Sequence, residues 1–364
     1  MDNLTSALTL ARIDGLGAVK IKRLYLAFGS LPAVFKASAD QLGTSLEARL
    51  VNQIDTLQDD ERHPIHRLVA LDKQWLADNP EVRILSLGDA AYPQLLADTP
   101  APPPVLYVRG NADALELPQL AMVGSRSPTA GGDKTAFEFA RYLAAGGFAI
   151  TSGLALGVDA SAHRGALHGG GVTIAVMGTG IDRVYPARNR GLADQILAQG
   201  GALVTEFAPG IASDAANFPR RNRVISGLSL GTMVVEAAIK SGSLITAKYA
   251  LEHQREVFAV PGSIHNPLSR GCHQLIKNGA KLVESAEDIV SELEGGLAFK
   301  RGQVQSQQPR QPEHWLLTLM GYDPVSVDQL CDLSGKSASE LTATLLDLEL
   351  EGKIAQRGSY YTRL

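Results

Sequence analysis

Two triplets of the same composition stand out in the chain, Arg188-Asn189-Arg190 and Arg221-Asn222-Arg223. Each comes one residue after an aromatic-Pro pair, Tyr185-Pro186 with Ala187 between and Phe218-Pro219 with Arg220 between. The arginine guanidinium is a planar fork of donors that matches phosphate oxygens, and an aromatic ring is a surface on which a base can stack. The pattern points to phosphate and base chemistry. The plainer alternative is a set of solvated surface arginines.

Three other segments share this character. Gly124-Ser125-Arg126-Ser127-Pro128-Thr129 puts a small residue, hydroxyls and an arginine ahead of a helix whose free amides would point back at them, an arrangement suited to an anion. It is not the Gly-x-Gly-x-x-Gly dinucleotide fingerprint. Lys240-Ser241-Gly242-Ser243-Leu244-Ile245-Thr246 opens a second helix with small hydroxyl residues and a point charge. Ser152-Gly153-Leu154-Ala155-Leu156-Gly157-Val158-Asp159 has small residues that allow close backbone approach. Asp159 and His163 lie four apart, on one face of a helix, where a hydrolase would use them as an acid/base pair. A packed histidine in a helical first turn is the favoured reading.

The candidate ligands of a phosphate-bearing strand are therefore Gly124, Ser125, Arg126, Thr129, Gly153, Arg188, Asn189, Phe218, Arg221, Asn222, Arg223, Lys240, Ser241, Gly242, Ser243 and Thr246. No residue is assigned as catalytic. No His-Glu-x-x-His, paired-cysteine or clustered-aspartate pattern calls for a metal, and no cofactor is expected. Gly335-Lys336-Ser337 is not a phosphate-binding P-loop, because the required earlier glycine is Leu330.

The elements that must position these residues are legible around them. Segments 119–124, 148–153, 172–178, 202–206, 232–236 and 257–262 are short and nearly continuously apolar. Helical stretches such as 133–145 and 243–254 separate most of them. This predicts an α/β fold, a doubly wound and mostly parallel sheet covered on both faces. Ligands of such sheets bind beyond the carboxyl ends of the strands, and the unusual residues fall there, in what reads as loops.

The flanks differ. The first 80 residues read as helical, with Ile13-Asp14-Gly15-Leu16-Gly17 resembling the turn of a helix-hairpin-helix or, more plainly, a Gly-rich turn between packed helices. The expected organisation is a helical domain of the helix-hairpin-helix or SAM type over 1–80 and a core over 81–296. A flexible Gln-rich linker over 297–311 and a winged-helix module over 312–364 would follow. In that module Ser326-x-x-Gln329 and Ser337-x-x-Glu340 are capping boxes, and Leu341, Leu345, Leu348 and Leu350 are expected to form one apolar face.

Charge is uneven along the chain. The whole carries 34 Lys/Arg against 38 Asp/Glu, a net charge of −4. Residues 119–290 carry 16 Lys/Arg against 13 Asp/Glu, whereas residues 312–364 carry 4 against 8. A phosphate-binding surface belongs in the centre, and the acidic tail suits a protein-facing or structural role better than duplex reading. At 45% hydrophobic and 20% charged residues the chain can bury a core. Its 2 cysteines rule out a disulfide scaffold. No apolar run is long enough to span a bilayer and the first residues do not read as a signal peptide, so a cytoplasmic protein with no membrane partner is expected.

In combination these motifs resemble the DNA-processing protein A family, also called DprA or Smf. The resemblance runs through Tyr92-Pro93 and its Pro-rich sequel, Leu106-Tyr107-Val108-Arg109-Gly110, Val123-Gly124-Ser125-Arg126, and Ser152-Gly153-Leu154-Ala155 with Gly157-Val158-Asp159 and His163. It continues through Tyr185-Pro186 with Asn189, Phe218-Pro219-x-Arg221-Asn222-Arg223, Ser241-Gly242-Ser243-Leu244-Ile245-Thr246-Ala247 and Val260-Pro261-Gly262. It implies a helical N-terminal domain, an extended Rossmann-like core and a C-terminal winged helix. It further implies a homodimer that binds single-stranded DNA and recruits the RecA recombinase in natural transformation. By motif, Arg126 is the leading phosphate ligand, Phe218 a base-stacking residue, and Arg221, Asn222 and Arg223 further pocket residues. Where the family often has Lys after Tyr-Pro, this chain has Ala187, and Arg188 is the candidate replacement. The rival is a nucleoside-monophosphate phosphoribohydrolase. Gly231-Thr232 and Glu236 echo that enzyme motif, but its Pro-Gly-Gly is missing.

Overall fold

The computed structural model describes residues 1–60, 62–293, 314–321 and 324–363, so the expected linker over 297–311 lies outside the described residues. Nine strands form one sheet: β1 (Val82–Ser86), β2 (Val105–Gly110), β3 (Gln119–Val123), β4 (Ala149–Ser152), β5 (Thr173–Val176), β6 (Ala202–Thr205), β7 (Gly231–Val234), β8 (Glu256–Ala259) and β9 (Lys281–Leu282). Their order is β1-β2-β6-β5-β4-β3-β7-β8-β9. From β6 to β9 every pairing is parallel, and β1 and β2 join antiparallel beyond β6.

The reason for two covered faces is visible within single strands. In β3, Leu120 and Met122 belong to one apolar cluster and Ala121 and Val123 to another. In β8, Phe258 enters the first of these and Val257 and Ala259 the second. A strand sends alternate side chains to opposite faces, so an unbroken apolar run requires a core on each side. The α/β, mostly parallel Rossmann-like core expected from the sequence is what the chain forms.

The helices of the first 80 residues are not packed as an isolated unit. Leu8, Leu24, Ile54 and Val69 share one continuous apolar cluster with Val82 and Leu85 of β1 and Leu106 and Val108 of β2. Arg12 pairs with Asp72, tying the helix Asn3–Ala11 to the helix Pro64–Asp78. The Tyr92-Pro93 motif is structural as well: the buried Tyr92 hydroxyl donates to Pro103 O at 2.7 Å and holds the Pro-rich segment against the sheet.

The last described segment is the winged-helix module, with helices Trp315–Met320, Val327–Ser334 and Ala338–Leu350 and strands β10 (Val325–Ser326), β11 (Ile354–Arg357) and β12 (Tyr360–Arg363) in the order β10-β12-β11. Both capping boxes form as the sequence predicts. One expectation fails. Leu341, Leu345 and Leu348 are buried, but Leu350 is 79% exposed. Nine positions beyond Leu341, at about 100° each, carry it to the opposite side of the helix.

Candidate nucleic-acid interface

The sheet changes winding direction at β3. From there the chain runs outward through β4, β5 and β6, then returns to the other side of β3 with β7. Loops diverge at such a point and leave a crevice at the carboxyl edge. A cavity of about 640 Å³ opens there. Val123, Gly124 and Arg126 line it from β3, Phe218, Arg221 and Asn222 from the helix Asn217–Leu228, and Ser241, Gly242, Ser243 and Thr246 from the start of the helix Ser243–Glu252.

Phe218 is the centre of the arrangement. The Arg126 guanidinium lies 5.7 Å from its ring centroid and that of Arg221 5.9 Å. The half-exposed Tyr185 ring sits 5.8 Å away, tilted by 36°. A ring flanked by two guanidinium groups offers a stacking surface beside fixed positive charge.

The two arginines differ in kind. Arg221 is buried, and its Nη1 donates to Gly153 O and Val176 O, joining the ends of β4 and β5. Burial pulls its pKa down to about 10, which leaves it charged at neutral pH. A side chain at Gly153 would collide with this guanidinium, which is why a glycine stands there. Arg126 is exposed, and no carboxylate among the described residues pairs with it. Its backbone is held by the neighbouring loop: Val158 N donates to Ser125 O at 3.1 Å. Gly157, at φ +76°, lets that loop lie against Ser125 and Arg126 where a Cβ would clash. Arg221 is therefore a charged scaffold, whereas the Arg126 guanidinium is exposed at the cavity.

The opposite wall is the start of the helix Ser243–Glu252. It has no side-chain cap at Gly242, and its first amides turn back on the preceding residues, Ser243 N on Ser241 Oγ at 3.3 Å and Leu244 N on Ser241 O at 3.2 Å. Asn222 Nδ2 donates to Gly242 O at 3.3 Å and joins this helix start to the helix Asn217–Leu228.

Several sequence-derived candidates are placed elsewhere. The segment around Phe218 was expected in a loop and instead begins a helix. Arg221 and Arg223 are two positions apart and so point about 200° apart. Arg223 consequently leaves the cavity for a buried ion pair with Glu206 at 2.5 Å and a bond to Ala101 O. Thr129 caps the helix Ala130–Ala145 and gives its Oγ1 proton to Glu236 at 2.6 Å. That bond also accounts for Glu236, the echo of the phosphoribohydrolase motif, as a structural carboxylate outside the cavity wall. Buried Asn189 donates to Leu154 O and Ala155 O at 2.8 and 3.1 Å and shapes the loop after β4. Ser125 Oγ accepts from Ser127 N at 3.1 Å. Arg188 and Lys240 are exposed and stand outside the cavity wall.

Asp159 and His163 do not pair. His163 is fully buried with Nδ1 2.7 Å from Thr173 Oγ1, and burial, reinforced by the charges of Arg221 and Arg164, holds its pKa down to about 3. Asp159 lines the cavity and accepts from Gly153 N and Ala155 N at 3.1 and 3.3 Å. Burial raises its pKa, opposed by Arg221 and these amides. Among lining residues, Asp159 and Tyr185 were singled out in the sequence without being assigned as ligands. Ser213 and Asp214 carried no sequence signal, because only the return of their loop over the cavity brings them in.

The fold and site define a class: a doubly wound α/β protein with a C-terminal winged helix and a cavity lined by arginines and aromatic rings at its switch point. The family described as DNA recombination-mediator protein A matches residues 83–294, and the DprA winged helix domain matches residues 303–358. Protein Smf of Escherichia coli K12 is 44% identical over 297 residues, 80% of this chain and 79% of that protein. DNA processing protein DprA of Streptococcus pneumoniae is 45% identical over 209 residues, 57% of this chain and 73% of that one. The X-ray structure of the S. pneumoniae DprA superposes with TM-score 0.63 at 35% identity, over 80% of this chain and 98% of that chain. A structure of DNA processing protein A from Helicobacter pylori, reporting that protein's single-stranded DNA binding mode, gives TM-score 0.53 at 29% identity over 58% of this chain and 96% of that one. The chain belongs to the DprA/Smf family.

Proposed function

We propose that this protein binds single-stranded DNA in the cavity at the end of β3, without catalysing a reaction on it. The observation that carries the reading is Phe218, an open stacking surface set between the free guanidinium of Arg126 and the fixed one of Arg221. Stacking and backbone charge tolerate any sequence, as a protein handling DNA of arbitrary origin requires. The H. pylori relative, whose single-stranded DNA binding mode is the subject of its structure, supports the same class of ligand.

The biological reading follows from family membership. The protein acts in the cytoplasm as a homodimer, shelters single strands during transformation and recombination, and delivers them to the RecA recombinase. Its helical region over 1–80, core over 81–296 and winged helix over 312–364 divide the work, with DNA held by the core. Gly124, Arg126, Phe218, Asn222, Ser241, Gly242, Ser243 and Thr246 form the contact surface, Arg221 and Gly153 stand behind it, and Arg188 and Lys240 extend the positive charge past the rim.

The test is a titration of fluorescent oligo-dT and of the matching duplex at low and moderate salt, for the native protein and Arg126→Ala. The reading requires single-strand binding that weakens with salt and drops in the variant. Well-folded protein that binds neither substrate would overturn it and make nucleotide hydrolysis the next assay.

A further inference from the structure

The winged-helix module turns its wing to the core. Arg357 and Tyr360 of the wing line a groove of about 1060 Å³ together with Thr135 and Phe139 of the helix Ala130–Ala145. The helix Ala338–Leu350, which in such a fold is the one that enters a DNA groove, keeps its outer side exposed. It buries Leu341, Leu345 and Leu348 and leaves Leu346 and Leu350 56% and 79% exposed. At about 100° per residue, exposed Ala343 falls on the same side and Asp347 beside it. The helix carries Glu340, Asp347 and Glu349 and no basic residue.

The helix Ala18–Phe28, near the other end of the chain, has the opposite character. It carries Lys20, Lys22 and Arg23 and no acidic residue. It buries Ile21 and Leu24, while Val19 and Leu26 are 52% and 66% exposed. Val19 and Leu26 are seven positions apart and so lie on one line of the helix, with exposed Arg23 between them.

Each stripe also holds one charge with no opposite charge beside it among the described residues. Lys20 pairs with Glu47 at 3.1 Å and Lys22 donates to Ala97 O, but Arg23 has no such partner. Glu340 closes its capping box and Glu351 pairs with Lys353 at 2.7 Å, but Asp347 has no such partner. Two copies of the acidic helix, or two of the basic one, would set like charges against each other. Only the acidic helix against the basic one satisfies both the leucines and the ions.

We propose that the helix Ala338–Leu350 of one copy docks on the helix Ala18–Phe28 of a second copy, with Leu346 and Leu350 against Val19 and Leu26 and Asp347 paired with Arg23. The two patches differ, so the contact is heterologous and each added copy leaves one patch open at either end. It is thereby distinct from a two-fold dimer, in which one patch meets itself. Neither helix lines the cavity at the end of β3, so the contact leaves strand binding by each copy unchanged.

The experiment is sedimentation velocity on the full-length protein without DNA, from low to high micromolar concentration at two salt concentrations. The average mass is expected to rise past that of a dimer without a plateau, and to rise less at high salt. Arg23→Glu and Asp347→Arg, both at exposed positions, are each expected to weaken the association about tenfold. An equal mixture of the two variants is expected to associate again, because copies then alternate and every contact joins opposite charges. A mass that stops at monomer or dimer, indifference to both substitutions, or no recovery in the mixture overturns the proposal. A change of sedimentation coefficient at constant mass overturns it in favour of docking within one chain. Because DNA is absent, each of these outcomes stands apart from the strand-binding reading.

Discussion

The cavity at the end of β3 and the C-terminal winged helix both present a helix start, yet only one of them closes it with a carboxylate. At the cavity, the helix Ser243–Glu252 begins at Gly242 among the hydroxyls of Ser241 and Ser243, and the same wall holds Arg126, which pairs with no carboxylate among the described residues. In the winged helix, the helix Ala338–Leu350 begins at Ser337, whose side chain and backbone are closed by Glu340 in a capping box. Asp347, Glu349 and Glu351 follow on or just beyond that helix. A carboxylate already occupies the place where a phosphate would sit. Whether a helix start binds an anion depends on what its own sequence has put there, not on the fold that carries it.

The comparison can be broken first by acid. His163 in the core has a folded pKa near 3 against an ordinary value of 6.5, so its stabilising effect is fully present above that ordinary value. It is lost as pH falls from about 6.5 toward 3, because the unfolded chain then binds the proton more readily. Glu340 in the winged helix has its pKa lowered by the Ser337 hydrogen bonds, so its effect is lost only below the usual glutamate value of 4.5. Hydrogen exchange across a pH series should show the core loosening at higher pH than the winged helix, and His163→Gln should flatten the core's response.

Next in size is the separation of stability from binding within one triplet. Arg223→Ala leaves the buried Glu206 with only the longer contact to Arg220, at 3.7 Å, and should cost about 2 kcal/mol in denaturant unfolding. Single-strand affinity of the folded variant should stay within about twofold of the native value. Arg126→Ala should do the reverse, with a melting temperature near native and an affinity loss of about 30-fold by fluorescence anisotropy. Equal effects of the two substitutions on binding would put Arg223 in the path of the DNA and remove this separation.

Phe218→Ala is expected to weaken single-strand binding by about tenfold, with Phe218→Trp retaining it, as stacking requires. The smallest effect belongs to the winged helix. Asp347→Lys combined with Glu351→Lys should leave single-strand affinity within about twofold and raise duplex affinity a few-fold at low salt. A large gain or loss for single strands would place the winged helix in the DNA path and remove the contrast.

Much of the core was legible in the sequence, for identifiable reasons. Strands that are apolar on both faces must be covered on both sides, so the segments ending at Val123, Ser152 and Val176 predicted a doubly wound sheet directly. Arg126, Phe218 and Ser241–Ser243, which line the cavity, were legible because strand ends and helix starts are visible as changes in residue type. Arg223 was misplaced because a triplet read as a loop has no facing, whereas a helix rotates successive side chains by about 100°. Leu350 was misplaced for the same reason.

Residue types and spacing alone thus determined the fold class, the edge of the sheet where the cavity opens, and the arginines and aromatic rings that gather there. These depend on periodicity and local charge, which adjacent residues are sufficient to set. Tertiary structure alone decided which arginine faces the cavity and which is buried against Glu206, that Thr129 and Asn189 support loops, and that Asp159 holds the amides of Gly153 and Ala155. Those assignments depend on where a side chain meets segments distant in the chain, such as Arg221 with the carbonyls of Gly153 and Val176, and only the packing of the whole sheet brings those groups together.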